Sequence, residues 1–166
     1  MTAPRKKEFT IIRDTREQNG YSFTPYDSGR WKCLGHIDKK LETGDYSLVG
    51  LEDHVCIERK ASTAEMAVNF GKDKTRFMEE IDRMRYYDHR YIVLEFSLDD
   101  LLVFPERSNI PAKTLPFLRV TGNYMIRELT ELQVRHNIHV VFAGDRDGGY
   151  QYTNALLRRL TDLYAE

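Results

Sequence analysis

The chain has 166 residues with 25 basic and 26 acidic side chains, 41% hydrophobic and 31% charged, which is the profile of one compact domain. Collagen-like, disordered and membrane-spanning classes are excluded: the longest apolar runs, Tyr91 to Leu94 and Val140 to Ala143, fall far short of the roughly 20 residues that cross a bilayer. A net charge of −1 speaks against a protein that coats nucleic acid non-specifically, but it allows a DNA enzyme, because carboxylates gathered at a metal centre cancel basic residues on the rim.

The opening MTAPRKKEFT is basic but has no apolar stretch behind it, so no secretory signal is expected and the reading places the protein in the cytoplasm. Cys33 and Cys56 are too few for a disulfide framework, lack a CxxC partner and are expected as reduced, partly buried thiols. Glu8 to Asp14 reads as a strand. Trp31 to Leu41 reads as an extended segment feeding a hairpin of Asp45 to Val49 and His54 to Arg59. Ser62-Thr63-Ala64-Glu65 is a capping-box pattern that opens a short helix. Asp73 to Tyr87 carries Phe77, Ile81, Met84 and Tyr87 at helical spacing.

Tyr91 to Phe96, apolar except for Glu95, predicts a strand covered on both faces. An amphipathic helix over Asn123 to His136 leads into a second buried strand, Ile138 to Ala143, and a last helix runs from Gln151 to Tyr164. Between them Pro105, Pro111 and Pro116 mark Phe104 to Phe117 as a long structured loop or lid. Asp145 to Gly149 begins like a calcium loop but lacks the downstream Glu, and is read as the turn before the last helix. No linker or repeat divides the chain. The expectation is a single domain over 1–166, an α/β fold with a mixed β-sheet and helices on both faces.

Chemistry concentrates on the hairpin. With Gly50-Leu51-Glu52-Asp53 as its connection, Val49 faces His54 and Asp45 faces Glu58. Tyr46, Leu48, Val55 and Ile57 then share an apolar face, and Asp45, Ser47, Cys56, Glu58 and Lys60 share the other. Two carboxylates roughly 5 Å apart at Cβ repel unless a cation lies between them. Lys60 reaches the same spot from two residues away. An Asp beside Glu-x-Lys on adjacent strands suits metal-assisted phosphodiester hydrolysis: hard oxygen ligands for Mg²⁺, with a lysine to position or deprotonate water. A lone Glu-x-Lys arises by chance in a chain this charged. The partner Asp45 at hairpin register raises its weight.

The segments IIRDTREQ (Ile11 to Gln18), TGDYSL (Thr43 to Leu48) and IERKAS (Ile57 to Ser62), in that order, together with RFMEEIDRMRYY and YIVLEF, resemble the nuclease domain of the XPF family of structure-specific endonucleases. The resemblance covers about the first hundred residues. It implies the restriction-endonuclease-like PD-(D/E)xK fold, with Asp45 and Glu58 binding Mg²⁺ or Mn²⁺, Lys60 assisting the attacking water, and Asp14 beside them as a further catalytic and metal-supporting acid. Arg16 and Glu17 would contact phosphate or fix the site by an ion pair. Arg59, which alternation turns to the opposite face, would orient the site, and Arg76 would contact phosphate. The expected substrate is DNA, at branched, flap or fork junctions between single and double strands, in repair, recombination or replication. The alternatives are a non-catalytic DNA-binding partner subunit, or a resolvase or exonuclease on the same fold.

Two departures stand out. The family's accessory acid position holds Ala64, with Glu65 immediately after it, so Glu65 is the candidate substitute. No helix-hairpin-helix domain is expected within 1–166. A homodimer or partner protein is one use for the last helix, with Leu156, Leu157, Leu160, Leu163 and Tyr164 as surface, and core packing is the other.

Overall fold

The computed structural model describes residues 5–165, so residues 1–4 of the segment read as signal-free lie outside it. Seven strands form one mixed sheet in the order β2-β3-β1-β4-β5-β6-β7. They are β1 (Lys7–Arg13), β2 (Tyr26–Asp27), β3 (Trp31–Asp38), β4 (Tyr46–Leu48), β5 (Val55–Lys60), β6 (His89–Leu94) and β7 (His139–Phe142). The helices are α1 (Thr63–Phe70), α2 (Lys74–Met84), α3 (Leu98–Leu102), α4 (Gly122–His136) and α5 (Arg146–Tyr164). Among the described residues no helix is long and apolar enough to cross a membrane.

Strand alternation divides the core in two. Ile11, Tyr46, Ile57 and Val93 face α5, where they pack on Leu157 and Leu160. Cys56, Ile92 and Leu94 face the other way, under Met66 and Phe70 of α1, Phe77 and Ile81 of α2, and Met125 and Leu129 of α4. The α/β fold with helices on both faces is therefore as expected. Tyr46 pairs with Ile57, the register that the hydrophobic pattern required. Helix ends follow local chemistry: Ser62 caps α1 by accepting from Glu65 N at 3.1 Å, while the Glu65 carboxylate turns back to Ala61 N at 2.7 Å.

Several boundaries differ from the sequence reading. The Trp31 segment does not feed the hairpin; β3 runs parallel to β1 on the far side of it, with Lys7 beside Trp31, because its alternating apolar residues complete the α5-side core. Of Ile138 to Ala143, expected as a buried strand, His139–Phe142 forms β7, a partly exposed edge strand flanked only by β6, while Ile138 before it is buried in the core. Asp145 to Gly149 is the first turn of α5. The Asp145 carboxylate caps it by accepting from Gly148 N at 2.7 Å, so the turn chemistry seen in the sequence is that of a helix start. On α5, Leu157 and Leu160 are core, whereas Leu163 and Tyr164 stay exposed. Both cysteines are buried free thiols.

Candidate active site

Three strand ends converge below α1 and α2. Asp14 directly follows β1, Asp45 directly precedes β4, and Glu58 and Lys60 close β5. The main chain ties them together: Asp14 N donates to Asp45 O, and Asp45 N donates to Ile57 O, each at 2.8 Å. Gly44 makes that approach possible. Its φ is +84° and a Cβ there would sit 2.7 Å from Cys56 Sγ. Gly44→Ala is expected to cost about 2–4 kcal/mol through left-handed strain and crowding of β5, checked by urea unfolding.

Asp45 and Glu58 are acids in the wrong environment for free carboxylates. Burial, then the charge of Glu17, pushes Asp45 up to about 7, against the restraining Arg59 N–H, which donates to Asp45 Oδ2 at 2.7 Å. Burial and the neighbouring Asp45 charge drive Glu58 well above its ordinary range, with Glu80 adding to the effect. Lys60 answers from within: its ammonium donates to Glu58 Oε1 at 2.8 Å and lies 4.9 Å from the centre of the Phe77 ring. Burial alone would lower the Lys60 pKa, but Glu58 and Glu80 hold it raised, which favours the ammonium form. One cation cannot neutralise three carboxylates, and this crowding of acids favours proton retention or a bound cation.

Asp14 has a different position in this network. Both its oxygens are engaged, Oδ2 by Arg16 N and Nε at 3.1 and 2.8 Å, and Oδ1 by Arg16 Nη2 and Leu41 N at 3.3 and 2.8 Å. Burial opposes ionisation, but these donors hold Asp14 below its ordinary value. It anchors Arg16 and the loop before Thr43 at the cleft wall. On the other face of β5, Arg59 forks between Glu17 and Glu95, at 2.8 Å to Glu17 Oε1 and 2.9 Å to Glu95 Oε1. Tyr21 donates to the same Glu95 oxygen at 2.8 Å.

Above these groups opens a cleft of about 450 Å³. Eight carboxylate and five basic side chains line it, among them Arg16, Arg76 and Arg83, all three exposed. Glu65 lines it too, from the first turn of α1. The sequence reading missed Glu80. It sits one turn beyond Arg76 on α2, and its sequence signal was a carboxylate at position i+3 from Phe77, flanking the apolar stripe rather than opposite it.

The donor set fits a hard divalent cation. Asp45, half-buried, and Glu58, buried, offer oxygen ligands whose mutual repulsion a cation would relieve. Among the described residues no group of three or more His, Cys, Asp and Glu side chains is arranged to hold a metal.

Comparison with known proteins bears on this arrangement. The ERCC4 domain family matches residues 14–156. Among solved structures, XPF from Aeropyrum pernix is similar at 21% identity and a TM-score of 0.62, over 92% of this chain and 61% of that one. XPF from Aeropyrum pernix in complex with DNA is similar at 20% identity and a TM-score of 0.60, over 93% of this chain and 66% of that one. The chain thus spans about three-fifths of the length of the first of these. Comparison with curated proteins found no match. A family match running from Asp14 through the Gly-Asp-Tyr and Glu-Arg-Lys segments to α5 takes in every residue that lines the cleft, and the chain belongs to the ERCC4 domain family.

Proposed function

We propose that the chain is a divalent-metal-dependent endonuclease that hydrolyses DNA phosphodiester bonds at branched, flap or fork junctions. The observation that carries the reading is the Asp45–Glu58 pair with the Lys60 ammonium on the buried Glu58, on the floor of an Arg-rimmed cleft. The junction preference rests on the resemblance of the three motifs to the XPF family. When bound by Asp45 and Glu58, Mg²⁺ or Mn²⁺ would neutralise charge at the scissile phosphate and make water more acidic.

The remaining work falls to the chain's own groups. Glu58 orients Lys60 through their 2.8 Å contact, so the ammonium is held where an attacking water or a phosphate oxygen would lie. Asp45 is fixed from behind by the Arg59 N–H, which leaves its other oxygen for the cation. Asp14 keeps Arg16 on the wall, and Arg16, Arg76 and Arg83 supply positive charge for flanking phosphates. Glu17, through Arg59, braces β5 rather than touching DNA.

Purified protein should cut labelled flap, fork, nicked, linear and four-way DNAs in Mg²⁺ or Mn²⁺ and stop in EDTA. Preference for an internal bond near a junction distinguishes an endonuclease from an exonuclease. Binding to the same DNAs without cutting in any cation would replace this reading by that of a non-catalytic partner subunit.

A further inference from the structure

Far from the cleft, at the other end of β1, four cations surround one buried carboxylate and one indole. Asp162 accepts from Trp31 Nε1 at 2.9 Å, from Arg30 Nη2 at 3.1 Å and from Arg159 Nη1 at 3.1 Å, and lies 3.3 Å from Lys7 Nζ. Three guanidiniums ring Trp31, with Arg30, Arg159 and Arg158 at 5.0, 5.2 and 5.6 Å from its ring centre. Arg158 has no ion pair among the described residues. Asp162 cancels one of the four positive charges, so the cluster carries an excess of about three, far more than is needed to pin α5 to the sheet.

Its geometry is that of an anion receptor. Stacking on the indole limits the rotamers of three long side chains before any ligand arrives, which lowers the ordering cost of binding. Arg30 and Arg159 remain 58% and 68% exposed, so their unused N–H groups face solvent. Planar guanidiniums match phosphodiester oxygens in pairs. Lys7 pairs with Trp31 at the start of β1, and Asp14 follows its end. Seven residue steps of a strand put the cluster roughly 23 Å from the cleft.

We infer that the Trp31 guanidinium cluster grips the DNA backbone at a second point, on an arm of the substrate that the cleft does not touch. The inference rests on the nucleic-acid reading of the cleft. At about 3.4 Å per nucleotide, a strand must extend about seven nucleotides from the scissile bond to reach both places.

The test is DNA binding by fluorescence anisotropy in EDTA over a range of salt, with one DNA extending twenty nucleotides from the junction and one extending four. On the long DNA, Arg158→Gln/Arg159→Gln is expected to reduce the slope of log affinity against log salt by about two, and Arg30→Gln by about one. Arg158→Lys/Arg159→Lys should keep most of the slope. On the short DNA wild type and variants should bind alike. An unchanged slope on the long DNA, or equal losses on both DNAs, overturns the inference and leaves the cluster a structural fastening of α5. Wild-type protein that binds neither DNA overturns the proposed function with it. Melting temperatures measured alongside separate lost contacts from lost folding, and Arg30→Gln, on a loop residue outside α5, keeps the test open if the helix pair proves unstable.

Discussion

Asp45→Asn is expected to lower DNA cleavage by about three orders of magnitude or more and, at the same time, to make the cation-free protein harder to melt near neutral pH. The two effects share a cause. Burial and the charge of Glu17 push the Asp45 carboxyl up to about 7 from an ordinary 3.8, so the folded protein keeps a proton that the unfolded chain releases. Stability contributed by this group is therefore present at low pH and lost as pH rises from about 4 to about 7. Glu58 is displaced in the same direction. Asparagine retains an oxygen for the Arg59 N–H but carries no charge, and so removes both the repulsion and a cation ligand.

Scanning calorimetry over pH 4–8 checks this. In EDTA the wild type should lose melting temperature as pH rises towards 7.5 and recover it when Mn²⁺ is added. Asp45→Asn should give a flatter profile, a higher melting temperature at pH 7.5 and little response to Mn²⁺. For a chain of this size each ~1 kcal/mol relieved raises the melting temperature by about 2–4 °C. A variant that responds to Mn²⁺ as strongly as wild type would place the cation elsewhere.

Much of this site was legible in the sequence because strand alternation is strict. Once Tyr46, Leu48, Val55 and Ile57 are assigned to the core, Asp45, Glu58 and Lys60 have only one face left, and the observed Tyr46–Ile57 pairing obeys that logic. The same rule set Arg59 on the opposite side of β5 from Glu58 and Lys60, where it meets Glu17 and Glu95 at the edge of the cleft. Long-range placement was not legible. Nothing local tells β3 to cross to the far side of β1, and nothing near Glu80 reports that α2 will lie over the end of β5. The state of Asp14 was hidden too. An acid after a strand offers oxygens to a metal or to backbone donors, and only the fold shows Arg16 and Leu41 taking both oxygens. Trp31 and Arg158 are more than a hundred residues apart in the chain, so their cluster has no local signature.

Arg59→Ala is expected to destabilise the protein by about 3–5 kcal/mol, the loss typical of a buried ion pair deprived of one partner. Both carboxylates on Arg59 are nearly shut off from solvent, with Glu17 and Glu95 side chains 9% and 5% exposed. Removing the fork leaves Glu17 without its cation at the edge of the cleft and Glu95 with only the Tyr21 hydroxyl and a distant Arg146. Lysine should not repair it, since a single ammonium cannot match the planar fork that spans both acids. Glu17→Gln in the Arg59→Ala background should recover part of the loss, giving a coupling energy of about 0.5–3 kcal/mol in a double-mutant cycle. Acid changes the balance in a defined direction. Burial opposes it, but Arg59 holds the Glu17 pKa below its ordinary 4.5, so the stability of this pair is present above about pH 4.5 and lost as pH falls further. The denaturation midpoints of wild type and Arg59→Ala should therefore converge towards pH 3. A gap that persists undiminished there would mean that Arg59 acts mainly through packing on Tyr21, 5.6 Å away, rather than through charge.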